Sequence, residues 1–195
     1  MTVIKEKTDD LHTALEDLPF NQKLFRGELT ALERSAYLQT HYHIFSTLDK
    51  HVSSDLKRAH YILRDIAVLP KYVMPKYSEL SEYIRHLTGY QLRDTEIISS
   101  AARDGNERQE TLAPACDPNP HIYLNYMGLM FGGQIMRKRY PETSQLYEFN
   151  DLVALRAYIR EEVCSETQEF IDEVRLGFQF QINISTALGN AFGLN

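Results

Sequence analysis

His12 and Glu16 stand one helical turn apart near the start of the chain, and their residue types suit a metal-bound imidazole with a carboxylate behind it. An imidazole that ligates iron offers one ring nitrogen to the metal. It donates its other N–H to an acceptor, which fixes the orientation and basicity of the ring. A solvated His–Glu pair on a helix surface has the same spacing. A second constellation lies in Tyr123 to Gln134, Y-L-N-Y-M-G-L-M-F-G-G-Q. Ile122, Tyr126, Leu129, Met130 and Met136 keep helical spacing there. Yet the segment carries Gly128, Gly132 and Gly133, each costing a helix about 1 kcal/mol relative to alanine. Asn125, Gly128, Leu129, Gly132 and Met136 share one face. That face, small at its centre with one amide at its edge, admits another backbone or a flat ligand. Arg156 and Arg160 form a third constellation, a basic strip beside Leu152, Leu155 and Ile159. Guanidinium groups hold carboxylates well, so the strip suits a dianionic apolar ligand, and equally a solvated helix edge.

The imidazole pair, the small-residue face and the carboxylate clamp are together complementary to heme. Other chemistries find less support. His41 and His43 point to different faces of a helix and cannot chelate one ion together. His41 lies on an apolar stripe and is expected in the core; His43, His51, His60, His86 and His121 are expected at the surface or its boundary. A carboxylate di-iron site wants two E-x-x-H pairs, and the nearest match is Asp9 to His12. No nucleophile elbow, phosphate loop, C-x-x-C or dinucleotide fingerprint is present. Cys116 and Cys164 make no metal spacing and suggest a reducing compartment, so the expected location is cytoplasmic, or the plastid stroma in a eukaryote. A net charge of −6 argues against nucleic acid as a general partner. No apolar run reaches the length of a membrane span, and the N-terminus lacks the apolar stretch of a signal peptide.

These residues need helices to position them. The chain is predicted to be all-α, one domain over residues 1–195, with sparse glycine and proline and no sustained strand alternation. A first helix is expected from Val3 to Leu18, burying Ile4, Thr8, Leu11 and Leu15, with Pro19 ending it. Thr30 and Glu33 form a capping-box pattern opening a second helix to Val52, with Tyr37, His41, Ile44, Phe45, Leu48 and Val52 as its stripe. Further helices are expected up to Leu69 before Pro70, and from Lys76 to Thr88. Ile97 to Ala102 reads as helical and Arg103 to Gln109 as an exposed turn. D-P-N-P at Asp117 to Pro120 breaks the chain before the glycine-bearing helix, which Pro141 terminates. Asn150 is expected to cap the helix of Arg156 and Arg160, and Ser165 with Gln168 to open the last helix, to Leu188.

In this order the motifs resemble the heme oxygenase family. K-E-K-T-D-D-L-H-T-A-L-E, Lys5 to Glu16, is similar to the family's proximal helix, with His12 at the iron-ligand position and Glu16 at the position that orients it. Y-L-N-Y-M-G-L-M-F-G-G-Q resembles the distal helix, usually Y-x-R-Y-L-G-D-L-S-G-G-Q. Arg156 and Arg160 match the basic positions that face the propionates, and F-Q-I-N-I, Phe180 to Ile184, matches the pocket wall with its Phe180 and Asn183. Similarity also runs through L-Q-T-H-Y-H-I-F and L-K-R-A-H-Y-I-L-R-D-I-A, so it covers nearly the whole chain. Three positions depart: Leu129 replaces the distal aspartate, Phe131 the serine and Asn125 the arginine. The stretch between the second helix and L-K-R-A-H is shorter than usual, and the expectation is a soluble type without a C-terminal membrane anchor.

The resemblance implies a single-domain heme-oxygenase-like bundle that opens heme to biliverdin, releasing CO and Fe²⁺, with electrons from ferredoxin or a flavoprotein reductase. Expected roles are His12 as proximal ligand, Glu16 as its partner, and Lys5, Arg156 and Arg160 on the propionates. Tyr123, Gly133, Phe180 and Asn183 complete the heme contacts, and Gly128 and Gly132 let the distal backbone approach the iron. The family's aspartate anchors a water chain that Leu129 cannot hold, and Asn125, with the Gly128 carbonyl, is expected to hold a water instead. The competing expectation is a degenerate heme carrier or sensor of the same fold. A third is a non-heme or thiamin-processing protein of the same helical architecture, which the missing carboxylate–histidine pairs disfavour. Arg137, Lys138 and Arg139 are the expected docking patch for an acidic ferredoxin, and basic residues at a helix C-terminus explain them equally.

Overall fold

The computed structural model describes residues 3–75, 77–89 and 116–194. Among them the regular structure is helical: α1 Val3–Glu16, α2 Pro19–Arg26, α3 Ala31–Leu48, α4 Ala59–Ala67, α5 Ser78–Thr88, α6 Asn119–Phe131, α7 Gly133–Arg139, α8 Leu152–Tyr158 and α9 Gln168–Ala191. Two short 3-10 turns follow α7, and a single π turn, Ile159–Val163, follows α8. The expected helix Ile97 to Ala102 and turn Arg103 to Gln109 lie outside the described residues.

α9 is the spine. Its 24 residues bury Phe170, Ile171, Val174, Gly177, Phe178, Gln181, Ile184 and Leu188, and α1, α2, α5 and α6 all pack on it. One apolar seam, Ile4 with Phe170, Ile171, Val174 and Phe178, joins α1 to α9 and reaches α6 through Tyr123 and Leu124. The larger core lies between α3, α4, α5, α6 and the 3-10 turns, around Phe45, Leu56, Ile62, Tyr83, Tyr126 and Tyr147.

Local chemistry sets most helix ends. Pro19 does more than stop α1, which ends at Glu16: it opens α2, at a first-turn position where its missing N–H is not needed. Thr30 and Glu33 form the expected capping box, with Glu33 N–H to Thr30 Oγ1 at 3.3 Å and Thr30 N–H to Glu33 Oε2 at 2.7 Å. α3 stops at Leu48, short of Val52, because Asp49 turns its carboxylate onto the start of α4. There it accepts the N–H of Arg58 at 2.9 Å and of Ala59 at 2.8 Å. The same carboxylate takes the Tyr126 hydroxyl at 2.6 Å, which ties α6 to the α3–α4 corner. Asp151 rather than Asn150 caps α8, accepting Ala154 N–H at 2.9 Å. Thr167 rather than Ser165 caps α9, accepting Phe170 N–H at 3.3 Å. The glycine-bearing helix runs to Arg139 and is divided at Gly132, whose φ of −63° and ψ of −37° stay right-handed helical.

Candidate functional site

α1 divides cleanly. Ile4 and Thr8 are buried, whereas Lys5, Asp9, His12 and Glu16 line the exposed face. The His12 side chain is 54% exposed and its Nδ1 lies 3.7 Å from Glu16 Oε2, an ion-pair separation longer than a hydrogen bond. The imidazole meets the Phe178 ring edge-on, centroids 5.9 Å apart. Arg175 of α9 grips Asp10 with two hydrogen bonds of 2.7 and 2.8 Å and also donates to the Lys7 carbonyl. Those bonds hold the Asp10 carboxyl down at about 2. The fork anchors the exposed α1 face, and His12 with it, to α9.

The glycines of α6 and α7 do different things. Gly128 is exposed, and a Cβ built on it meets nothing within 4 Å. Phe131 and Ile135, on the same side, are each 49% exposed, with half-buried Gly132 between them. Gly133 belongs to the fold instead. It is buried, and a Cβ there would sit 2.5 Å from Cδ1 of Tyr147. Leu129 points into the larger core at 5% exposure. Tyr123 is half-buried against the Phe170 ring, 5.9 Å between centroids.

Arg156 flanks the open face. Its guanidinium carbon lies 3.9 Å over the Phe131 ring, and one of its N–H groups donates to the Met130 carbonyl. Phe131 thus supplies a stacking platform for the Arg156 guanidinium. The Nε of Arg156 is buried without a hydrogen-bond partner. Arg160 lies in the π turn Ile159–Val163 that follows α8 and is exposed.

Phe180 and Asn183 lie elsewhere. Two residues past Phe178 is about 200° round α9, and Phe180 stacks on Tyr83, centroids 4.9 Å apart, facing α5. Asn183 is half-buried, accepts from Gln179 Nε2 at 3.1 Å, and lines a shallow α5–α9 groove with Ser78, Glu79 and Glu82. The structure therefore gathers Lys5, His12 and Glu16 on one helix face and Gly128, Gly132 and Arg156 at another. It turns Phe180 and Asn183 toward α5 instead.

Asn125 is buried at 8% exposure, and its amide is engaged within the protein. Nδ2 donates to the Tyr83 hydroxyl at 3.0 Å and to the His121 carbonyl at 2.8 Å, while Oδ1 accepts from Gln181 Nε2 at 2.9 Å. Both amide hydrogens are spent, so the expected water-holding role gives way to one of joining α5, α6 and α9. His121, expected at the surface, is fully buried: its Nδ1 lies 3.2 Å from the Tyr83 hydroxyl and its Nε2 2.9 Å from Glu173 Oε1. Burial pulls the His121 imidazole below its ordinary value, opposed by its bond to Glu173. Bonds from His121 first and His86 second hold the Glu173 carboxyl at about 2. Tyr83, Gln181 and Glu173 were not legible as site residues, because each acquires its partner from a different helix. The basic trio closes α7: Arg137 pairs with Glu148 at 3.3 Å, the Arg139 stem packs beside Gly27, and Lys138 is exposed.

The open face at Gly128 with the unpaired guanidinium nitrogen of Arg156 would suit a flat ligand bearing carboxylates, and the exposed imidazole of His12 beside Glu16 would suit a metal. The family model described as Heme oxygenase matches residues 1–184. Heme oxygenase 1 of Bos taurus is 22% identical over 213 residues, spanning 93% of this chain and 68% of that protein. The human heme oxygenase 1 is 21% identical over the same shares. Among solved structures, the heme oxygenase from Leptospira interrogans superposes with a TM-score of 0.72 at 16% identity, covering 95% of this chain and 97% of that one. Heme oxygenase-1 from the cyanobacterium Synechocystis, solved in complex with heme, gives a TM-score of 0.69 at 15% identity, covering 98% and 94%. The fold is thus that of the heme oxygenases, an all-α single domain, and with the match over residues 1–184 the chain belongs to the heme oxygenase family.

Proposed function

We propose that this protein opens heme to biliverdin with release of CO and Fe²⁺, drawing electrons from an external donor such as ferredoxin or a flavoprotein reductase. The observation that carries the reading is the open face at Gly128, one turn before half-buried Gly132 and flanked by Arg156 with its buried, unpaired Nε. Heme, as substrate, brings the iron at which O2 is activated. The chain's residues bind and aim it. His12 offers its imidazole to the iron, and a rotamer change at Glu16 closes the 3.7 Å gap to His12 Nδ1, setting ring orientation. Arg156 and Lys5 take the propionate carboxylates. Gly128 and Gly132 allow backbone against the macrocycle, crowding one meso edge. Tyr123, Arg160, Phe180 and Asn183 contribute only where α6, the π turn and α9 readjust around the ligand.

The second reading, a carrier that keeps heme intact, has two specific supports: Leu129 is apolar and buried, and both amide hydrogens of Asn125 are committed. Heme titration followed by aerobic reduction separates the readings. The oxygenase loses the Soret band and yields a bilin; the carrier keeps the band. In the same assay, His12→Ala is expected to weaken heme binding or change its ligation. An unchanged Soret position in that variant removes His12 as ligand.

A further inference from the structure

His86 in the last turn of α5, Cys116 just before α6, His121 in the first turn of α6 and Glu173 on α9 converge on one spot. His121 Nε2 is 2.9 Å from Glu173 Oε1, and His86 Nε2 bonds the same oxygen. One donor atom from each of the four residues lies within 4.8 Å of all the others. We propose that these four residues form a binding site for a divalent transition-metal ion of the zinc class, clasping α5, α6 and α9. The site is separate from the glycine face and does not depend on the heme reading.

The donor set decides the class of ion. Two imidazoles, a thiolate and a carboxylate make a tetrahedral zinc set. Oxygen-seeking Mg²⁺ and Ca²⁺ are poorly served by sulfur and nitrogen. A tetrahedron with zinc-like bond lengths has edges of roughly 3.3–3.8 Å, so the widest donor pairs close by at most about 1.5 Å, while the two imidazole nitrogens that bond Glu173 Oε1 move slightly off it. Thiolate and carboxylate together balance the charge of a divalent ion, and the thiol proton is released to solvent on binding. A hydrogen-bonded trio of His86, His121 and Glu173 needs no thiol, so it leaves the convergence of half-buried Cys116 unexplained.

The surroundings favour ligation too. Metal-bound imidazoles are held through their second nitrogen, and the Nδ1 of His121 has the Tyr83 hydroxyl at 3.2 Å. That hydroxyl in turn receives the Asn125 amide. Gly177 lets the α9 backbone come close, since a Cβ there would lie 3.0 Å from His121 Nδ1. The ion would fix the start of the glycine-bearing helix to α9, and its influence reaches Asn125 through Tyr83.

The test uses the full chain stripped by chelator and titrated with Co²⁺. The expected result is one ion per chain with the strong visible bands of tetrahedral cobalt and a near-ultraviolet thiolate-to-cobalt band. Zn²⁺ should displace the cobalt and raise Tm, while Mg²⁺ does neither. Cys116→Ser should abolish the thiolate band, and Cys116→Ser or His86→Ala should weaken Zn²⁺ by more than about 100-fold against a chromophoric chelator. Cys164→Ser and His12→Ala should bind as the parent does. Metal-free Tm values of each variant show that it is folded. No saturable binding in the parent, octahedral cobalt without a thiolate band, or Zn²⁺ affinity unchanged in both Cys116→Ser and His86→Ala overturns the site.

Discussion

Asn125 shows how much a single residue's meaning depends on what surrounds it. On a helical wheel its amide belongs to the glycine face, and in the folded chain it bonds Tyr83, Gln181 and the His121 carbonyl. Truncation would strand buried partners on two other helices. A buried polar group left unsatisfied costs about 1–3 kcal/mol. Asn125→Ala is therefore expected to lower stability by about 2 kcal/mol in urea unfolding, while bilin formation per folded molecule changes less than about threefold. A large loss of rate at unchanged stability would return Asn125 to the heme face.

Among the helices, α6 and α7 carry glycines for two opposite reasons, and alanine separates them. Gly128 faces open space, so Gly128→Ala should gain about 1 kcal/mol of helix propensity. It should also weaken heme binding, because its methyl group occupies the proposed contact surface. At Gly133 an added methyl group would lie 2.5 Å from the buried Tyr147 ring, so Gly133→Ala must displace an aromatic side chain in a packed core. Overpacking of that kind costs about 1–3 kcal/mol. Thermal melts and heme titrations on both variants check the contrast. Equal heme affinity in Gly128→Ala and the parent would place the ligand elsewhere.

For the molecule as a whole, acid stability and charge steering are the expected signatures. His41 is packed between Tyr37 and Phe45, and burial pulls its imidazole down to about 4, opposed by its bond to the Tyr37 carbonyl. The unfolded chain then binds a proton that the folded chain refuses between about pH 6.5 and 4. Stability is accordingly complete above pH 6.5 and falls as pH drops, by about 2 kcal/mol between pH 7 and pH 5 from this residue. His41→Gln should flatten the urea midpoint against pH over that window. Around the molecule the net charge is −6, and the basic end of α7 interrupts it. If an acidic ferredoxin docks there, Lys138→Glu should slow its association several-fold at low ionic strength. The difference should fade as the screening length shrinks from about 10 Å at 0.1 M salt to about 3 Å at 1 M. Turnover indifferent to both changes removes the docking patch.

Spacing along the chain was enough to establish the helical class, the Thr30–Glu33 capping box and the burial of Ile4 and Thr8 on α1. Each rests on contacts three or four residues apart, which local periodicity displays. His12 with Glu16 and the glycine motif were legible for the same reason. Leu11 and Leu15, by contrast, are only half-buried, and α6 opens at Asn119, inside the expected break. The rest came from how the helices pack. Packing ended α3 at Asp49, because that carboxylate caps another helix and holds Tyr126, 77 residues away. Phe180 and Asn183 went to the α5 side of α9, and Asn125 and His121 were drawn inward. His86 and Glu173, 87 residues apart, meet only because α5 and α9 pack together. Such pairings belong to the packing of whole helices, and no local periodicity encodes which helix a given face will meet.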